Sequence, residues 1–310
     1  MKMGSTIFSP DGRYFATIVK GDVELWDMTT FQKVQVLLSP PQHDFEDISF
    51  SPDGQFLAGA TNISLHVWDM RTFQEIKTLE YDYNKYKYVF RSVSYSPDKQ
   101  LLAIAGEKQS FSGFTSYIWF WDMKDRDIKI GASSNTGEYV SFSPDGRYLA
   151  SVSGKIVKIW DMMTFTYNPY SGPLKEVQTL RGHNNDITIM TYSPNGTYLV
   201  TAARYETVKV WDMTTFQEVQ SLFPNIDSII ANSVSFSPDN RYLAVSGVII
   251  NSGSPVIKVW EMTIFQEIYA DEYQRYNPVS VTFTPDGRFF VTQYGKYTIS
   301  TKLIDTNLWQ

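Results

Sequence analysis

The chain has 310 residues and no cysteine, which excludes both a disulfide framework and a thiolate metal site. Its 27 Lys and Arg stand against 33 Asp and Glu, a net charge of -6 whose field repels phosphate backbones and argues against duplex nucleic acid as a partner. The 43% hydrophobic fraction is enough for one large core at this length.

Residues 1–6 run directly into a predicted strand without an apolar leader, and nowhere is there a run of about 18 apolar residues. Membrane insertion is therefore not expected, and a cytoplasmic location is. From there one phrase recurs to the far end of the chain: an apolar or aromatic residue followed by Ser-Pro-Asp-Gly or a close variant, at 8–12, 50–54, 95–99, 142–146, 192–196, 236–240 and 283–287. Its prolines are 42 residues apart at the closest, Pro10 to Pro52, and 50 at the widest, Pro144 to Pro194. A period of that length marks one supersecondary unit used repeatedly.

A second phrase keeps step with the first. It reads Trp26-Asp27-Met28, Trp68-Asp69-Met70, Trp121-Asp122-Met123, Trp160-Asp161-Met162, Trp211-Asp212-Met213 and Trp260-Glu261-Met262, with Leu303-Ile304-Asp305 in its place at the end. Within the fourth unit, 139–142 alternates apolar with polar, 144–146 turns, and 147–152 returns, which predicts a hairpin. Residues 157–160 and 176–180 predict a third and fourth strand, and no segment carries a helical period. Four strands, which we letter a to d in chain order, make one unit.

Together these paired phrases resemble the WD40-repeat β-propeller family, over nearly all of the chain. The resemblance implies an all-β, seven-bladed propeller of four-stranded antiparallel blades forming a single domain over 1–310, with units at about 5–46, 47–91, 92–138, 139–186, 187–232, 233–278 and 279–310. The seventh blade is expected to have three strands. Trp309 falls where other units place a Phe, the chain ends where strand d would begin, and the residues before Pro10 are consumed by strand a. An open strand edge on that blade is expected to serve as an assembly or partner contact.

The catalytic inventory is thin: His43, His66 and His183 are the only histidines and share no setting. His66 beside Trp68 is read as packed or edge-exposed, and His43, in a Pro-rich connection, as solvated. Gly182-His183 resembles the family's Gly-His, which implies a hydrogen-bonded network with Thr201 and Trp211. The Asp that would complete it, six before the Trp, is here Tyr205, and the same offset gives Lys20, Asn62 and Gly154 in other units, so the network is expected to be incomplete throughout. The repeated acids Asp11, Asp53, Asp98, Asp145, Asp239 and Asp286 are read as turn anchors, as are Asp27, Asp69, Asp122, Asp161 and Asp212. Phe31, Phe73, Phe165, Phe216 and Phe265 are read as corner plugs.

Function is expected where the repeats differ. Extra residues at 106–114 and 247–254 are read as strand b-to-c loops, which in the family share a rim with the d-to-a loops. The d-to-a stretch 81–91 interleaves tyrosines with basic residues, a surface suited to peptides or unpaired bases; equally, those tyrosines could pack locally in an outer strand. A smaller aromatic patch covers 269–276, and 166–173 is an insertion on the opposite rim. Tyr83, Tyr86, Tyr88, Phe111, Phe114, Tyr273 and Tyr276 are the candidate partner-binding residues. The expected function is a non-catalytic platform for a protein or peptide, without cofactor or metal. The alternatives are a ligand-sensing module of a larger signalling protein and a propeller hydrolase.

Overall fold

Each Ser-Pro-Asp phrase closes a hairpin by one repeated set of bonds. In the first, Ser9 Oγ donates to Asp11 Oδ1 at 2.6 Å, and the Arg13 and Tyr14 amides donate to Asp11 Oδ1 and Ser9 Oγ at 3.0 and 2.8 Å. The Gly12 amide reaches back to the Ser9 carbonyl at 2.9 Å, and Gly12 takes φ +72°, a left-handed value that costs glycine nothing. The serine-to-acid bond recurs at Ser51–Asp53, Ser96–Asp98, Ser143–Asp145 and Ser237–Asp239, with Thr284–Asp286 and Ser193–Asn195 as variants. The turn-anchor reading of the acids holds, and the buried serine beside each is its other half.

The structure is a computed structural model and describes residues 6–41, 43–80, 88–98, 100–110, 113–123, 128–133, 137–165, 174–223, 229–272, 278–294 and 300–306. Its strands form antiparallel sheets in chain order. The first sheet is β1 (Thr6–Phe8), β2 (Tyr14–Val19), β3 (Asp22–Asp27) and β4 (Gln32–Leu37), and the second is β5 (Phe45–Phe50), β6 (Phe56–Thr61), β7 (Ser64–Asp69) and β8 (Gln74–Glu80). The third is β9 (Tyr88–Tyr95), β10 (Leu101–Ser110), β11 (Gly113–Asp122) and β12 (Ile128–Ser133), and the fourth is β13 (Tyr139–Phe142), β14 (Tyr148–Ser153), β15 (Ile156–Asp161) and β16 (Lys175–Arg181). The fifth holds β17 (Ile187–Tyr192), β18 (Tyr198–Ala203), β19 (Val208–Asp212) and β20 (Gln217–Leu222), and the sixth β21 (Ile229–Phe236), β22 (Tyr242–Ile249), β23 (Pro255–Glu261) and β24 (Gln266–Glu272). The last repeat supplies β25 (Pro278–Phe283), β26 (Phe289–Tyr294) and β27 (Ser300–Asp305).

Four-stranded blades therefore number six, and the last repeat is a three-stranded sheet among the described residues. β1 pairs with β2, so it completes the first sheet instead of the last. Among the described residues no α-helix forms; Met162–Thr164 is a single 3-10 turn, capped by Asp161 accepting from the Met163 amide. Among the described residues no helix is long and apolar enough to cross a membrane.

The chain divides into two compact units, residues 9–181 and residues 1–8 with 182–310. In the first, β6, β7, β9, β10 and β11 bury Leu65, Val67, Phe90, Leu102, Ile104, Trp119 and Trp121 against one another. A second cluster joins Ala103, Ile118 and Phe120 to Phe142, Leu149 and Trp160. In the other unit, Val208, Val210, Leu222 and Phe223 pack with Leu243, Val245, Val256 and Trp260, and Ile257 and Val259 with Phe283 and Phe290. The third and sixth blades thus bury both faces, which is why their strands carry few polar residues at inward positions.

Small polar pegs set the spacing of the first strands. Ser49, Ser94 and Ser235 Oγ accept from the amides of Tyr95, Phe142 and Phe283 in the following sheet. The corner phenylalanines behave as plugs at three sites: Phe73 edges onto Tyr14 at 5.6 Å, Phe165 onto Phe120 at 4.5 Å and Phe265 onto Tyr198 at 5.8 Å. Phe31 instead is exposed.

Candidate interaction surface

The extra residues of the third unit are not a loop. β10 and β11 are ten residues each and pair without interruption from Leu101↔Asp122 to Ser110↔Gly113, so 106–110 and 113–114 belong to the outer half of a long strand pair. Alternating side chains and β-branched or aromatic residues at 114–120 make strand the better use of this segment. Among the described residues, β9 is paired with β10 as far as Tyr88↔Lys108, and β12 with β11 as far as Tyr117↔Ser133. The 247–254 segment is likewise partly strand, β22 continuing to Ile249 and β23 starting at Pro255.

Phe114 lies on the outer half of this strand pair with 62% of its surface exposed. Tyr117 stacks on Trp119 at 5.5 Å below it, and Arg91 of β9 pairs with Glu107 of β10 at 3.6 Å. Tyr88 opens β9, which brings its backbone to the same hairpin. Tyr83, Tyr86, Phe111, Tyr273 and Tyr276 lie outside the described residues, as does the 166–173 insertion.

Two polar networks lie within the blades, the first with Thr201 and Trp211 in the places the family resemblance implied. In the fifth blade, His183 Nδ1 lies 2.8 Å from Glu206 Oε2, His183 Nε2 2.7 Å from Thr201 Oγ1, and Trp211 Nε1 donates to Thr201 Oγ1 at 2.8 Å. The network is complete, which corrects the expectation of a gap at Tyr205. Glu206 has the extra methylene to reach the imidazole from one residue further on, while Tyr205 turns outward at φ +63° and is exposed. A carboxylate can only accept, so Nδ1 carries the proton and Nε2 accepts from the threonine, whose oxygen accepts from the indole. Burial lowers the His183 pKa more than Glu206 raises it, which keeps the ring neutral.

In the second blade, Thr61 and Ser64 Oγ meet at 2.7 Å, Ser64 Oγ and His66 Nε2 at 2.8 Å, and His66 Nδ1 and Glu75 Oε1 at 2.5 Å. The ring stacks on Trp68. A serine, an imidazole and a carboxylate in this order have the polarity of a nucleophile relay. Ser64 has no exposed surface, however, so no substrate carbonyl reaches its oxygen in this structure.

His66 has a different logic. Two residues before the Trp, other blades place Lys158, Lys209 and Lys258, which pair with Glu176, Glu218 and Glu267 at 3.2, 2.7 and 2.8 Å, and the first blade reverses the pair as Glu24 and Lys33. His66 with Glu75 occupies that slot. Opposite charges at these two offsets were the readable signal. His43, expected in solvent, is half-buried and bonded to Asn62 Oδ1 at 2.8 Å. At the end of strand c, a side-chain hydrogen bond from Arg71 holds the Asp69 carboxyl at about 2. Among the described residues no three His, Asp or Glu side chains cluster as a metal site would need.

Four stretches of the chain, 33–69, 138–161, 174–212 and 217–261, match the family model for the WD domain, G-beta repeat. This chain carries WD40 repeats. The third WD40 unit, with its long hairpin, lies outside the matched stretches. Pre-mRNA-processing factor 19 of Oryza sativa is 34% identical over 122 residues, 38% of this chain and 21% of that protein. Protein transport protein sec13 of Emericella nidulans is 28% identical over 193 residues, 55% of this chain and 59% of that one. The alignments thus span well under two thirds of either relative. Among solved structures, the β-propeller domain of Cps50 (Swd1) from Myceliophteria thermophila superposes with a TM-score of 0.75 at 15% identity, covering 95% of this chain and 93% of that one. A chain of the mitotic checkpoint complex gives 0.73 at 15% identity, covering 97% and 86%. At such identity the likeness shows the fold, a β-propeller.

Proposed function

We propose that this WD40 chain is a non-catalytic platform that binds a protein or peptide through the surface built on the β10–β11 hairpin. One observation carries the reading: Phe114 stands 62% exposed on a pair of ten-residue strands, in a repeat that lies outside the stretches matching the family model. A large apolar side chain exposed on a continuously paired hairpin suits the anchor of an interface. The enclosure of Ser64 supports a structural role for the His66 network.

The same proposal includes a seventh, three-stranded blade in one propeller domain over 1–310, and a cytoplasmic location. The β27 edge away from β26 pairs with no strand among the described residues, and strand addition there is its second contact. Fractionation of cells expressing the chain tests the location.

The decisive experiment compares wild type with a variant carrying Phe111→Ala, Phe114→Ala and Tyr86→Ala. The expected result is an unchanged thermal midpoint with loss of the captured partner. Equal capture by both moves the site elsewhere.

A further inference from the structure

Six of the seven hairpin turns carry an aspartate after the Ser-Pro or Thr-Pro, at Asp11, Asp53, Asp98, Asp145, Asp239 and Asp286; the fifth, between β17 and β18, carries Asn195. Asn195 is also the one asparagine in the chain that precedes a glycine, Gly196. It is exposed at the end of its hairpin, and its Oδ1 accepts from Ser193 Oγ at 2.9 Å and from the Thr197 amide at 3.0 Å.

These are the bonds the aspartate turns make, with one difference. In the six aspartate turns the Ser or Thr hydroxyl stands 2.5 or 2.6 Å from the carboxylate, the spacing of a charge-assisted O–H···O⁻ bond. At Asn195 it stands at 2.9 Å, as a neutral bond does. By the same bond, Ser9 and Thr284 hold the Asp11 and Asp286 carboxyls below the usual carboxylate range. The fifth turn thus keeps the partners of a carboxylate and holds an amide in its place.

We propose that Asn195 is a hydrolytic modification site, its side-chain amide exchanged for a carboxylate through attack by the Gly196 nitrogen. Glycine has no Cβ to shield that nitrogen. The Gly196 N–H gives its proton to solvent base and the nitrogen bonds to Asn195 Cγ; the Cγ–Nδ2 bond then breaks, and Nδ2 leaves with a proton as ammonia. Water adds to Cγ of the resulting cyclic imide, the bond from Cγ to the Gly196 nitrogen breaks, and that nitrogen recovers its proton. Water is consumed, ammonia is released, and aspartate stands at 195. Water entering at the imide's other carbonyl yields isoaspartate, which adds a backbone atom between the Gly196 N–H and the Ser193 carbonyl that bond at 2.8 Å. That bond, with the two on Oδ1, holds the reacting atoms in the closed turn, so the reaction proceeds from a turn that has opened locally.

The test incubates the full chain in mildly alkaline buffer, folded and in urea, and follows the peptide containing residue 195 by mass spectrometry, with synthetic aspartyl and isoaspartyl peptides as standards. Aspartate is expected at 195 in the folded chain, ahead of conversion at any other asparagine and more slowly than in urea. Ser193→Ala removes a donor to Oδ1 and should convert about tenfold faster when folded, the effect of one lost hydrogen bond on the opening of the turn. Asn195→Asp should melt no lower than wild type, because the product meets the partners that the other six turns supply to theirs. Three results would overturn the proposal: Asn195 no more converted in the folded chain than its other asparagines; equal folded rates for wild type and Ser193→Ala; or a lower thermal midpoint for Asn195→Asp. None of these readouts needs a bound partner, so their failure is separate from a failure of the hairpin variant to lose its captured protein.

Discussion

His183 and Glu206, 23 positions apart in sequence, meet at 2.8 Å and close the hydrogen-bond chain that runs through Thr201 to Trp211. Glu206 also accepts from the Asn184 amide at 2.6 Å, so one carboxylate fixes both the ring and the turn that carries it. Removing it strands a buried imidazole N–H and a backbone N–H together. Glu206→Ala should cost about 1–3 kcal/mol in chemical denaturation. Tyr205→Asn, at an exposed left-handed position that Asn tolerates, should change stability by less than about 0.5 kcal/mol. The reverse ranking would return the network slot to residue 205.

The same imidazole sets a pH dependence. Its folded pKa lies below its ordinary value because burial disfavours the charged ring, against the pull of Glu206 and Glu218 and with that of Lys209. The unfolded chain therefore takes up a proton first as pH falls. Stability is fully present above the ordinary histidine value of about 6.5 and declines below it toward the folded pKa. Thermal midpoints measured downward from about pH 7 should show this slope. His183→Gln should flatten it, and an unchanged slope in that variant would show that His183 does not set it.

Trp160 donates to Ser151 Oγ at 2.8 Å and is buried among Phe142, Leu149, Ala103 and Phe120. Trp160→Ala should destabilise the chain by about 3–5 kcal/mol, the cost of deleting a buried aromatic. Trp160→Phe keeps most of the packing and loses the indole donor, so about 1–3 kcal/mol is expected. A cost below about 1 kcal/mol for the alanine variant would remove Trp160 from the core.

What the sequence displayed was whatever recurs. The Ser-Pro-Asp turns, the strand order and the turn role of the acids all follow from offsets that the copies share. The His183 network was misread because a fixed offset assumes the length of aspartate, and Glu206 reaches the same atom from the next position. The 106–114 segment was misread because extra residues suggest a loop, whereas Thr115, Tyr117 and Ile118 favour strand and found partners in 101–110.

Gly106 seats the long hairpin against β9. The β9–β10 register shifts between Ala105 and Gly106, and a Cβ on Gly106 would lie 2.2 Å from the Val89 carbonyl oxygen and 3.1 Å from Trp119. Backbone cannot yield as a flexible side chain does, so Gly106→Ala must push β9 away or undo the bulge. The expected cost is about 1–3 kcal/mol, with faster amide exchange in 88–92 and 105–110. Gly113 separates space from conformation: at φ +122° nothing lies within 4 Å of its Cβ position. Gly113→Ala should therefore strain only the turn and leave exchange in β9 unchanged. If Gly106→Ala were the milder of the two, the bulge would not be what seats the hairpin carrying Phe114.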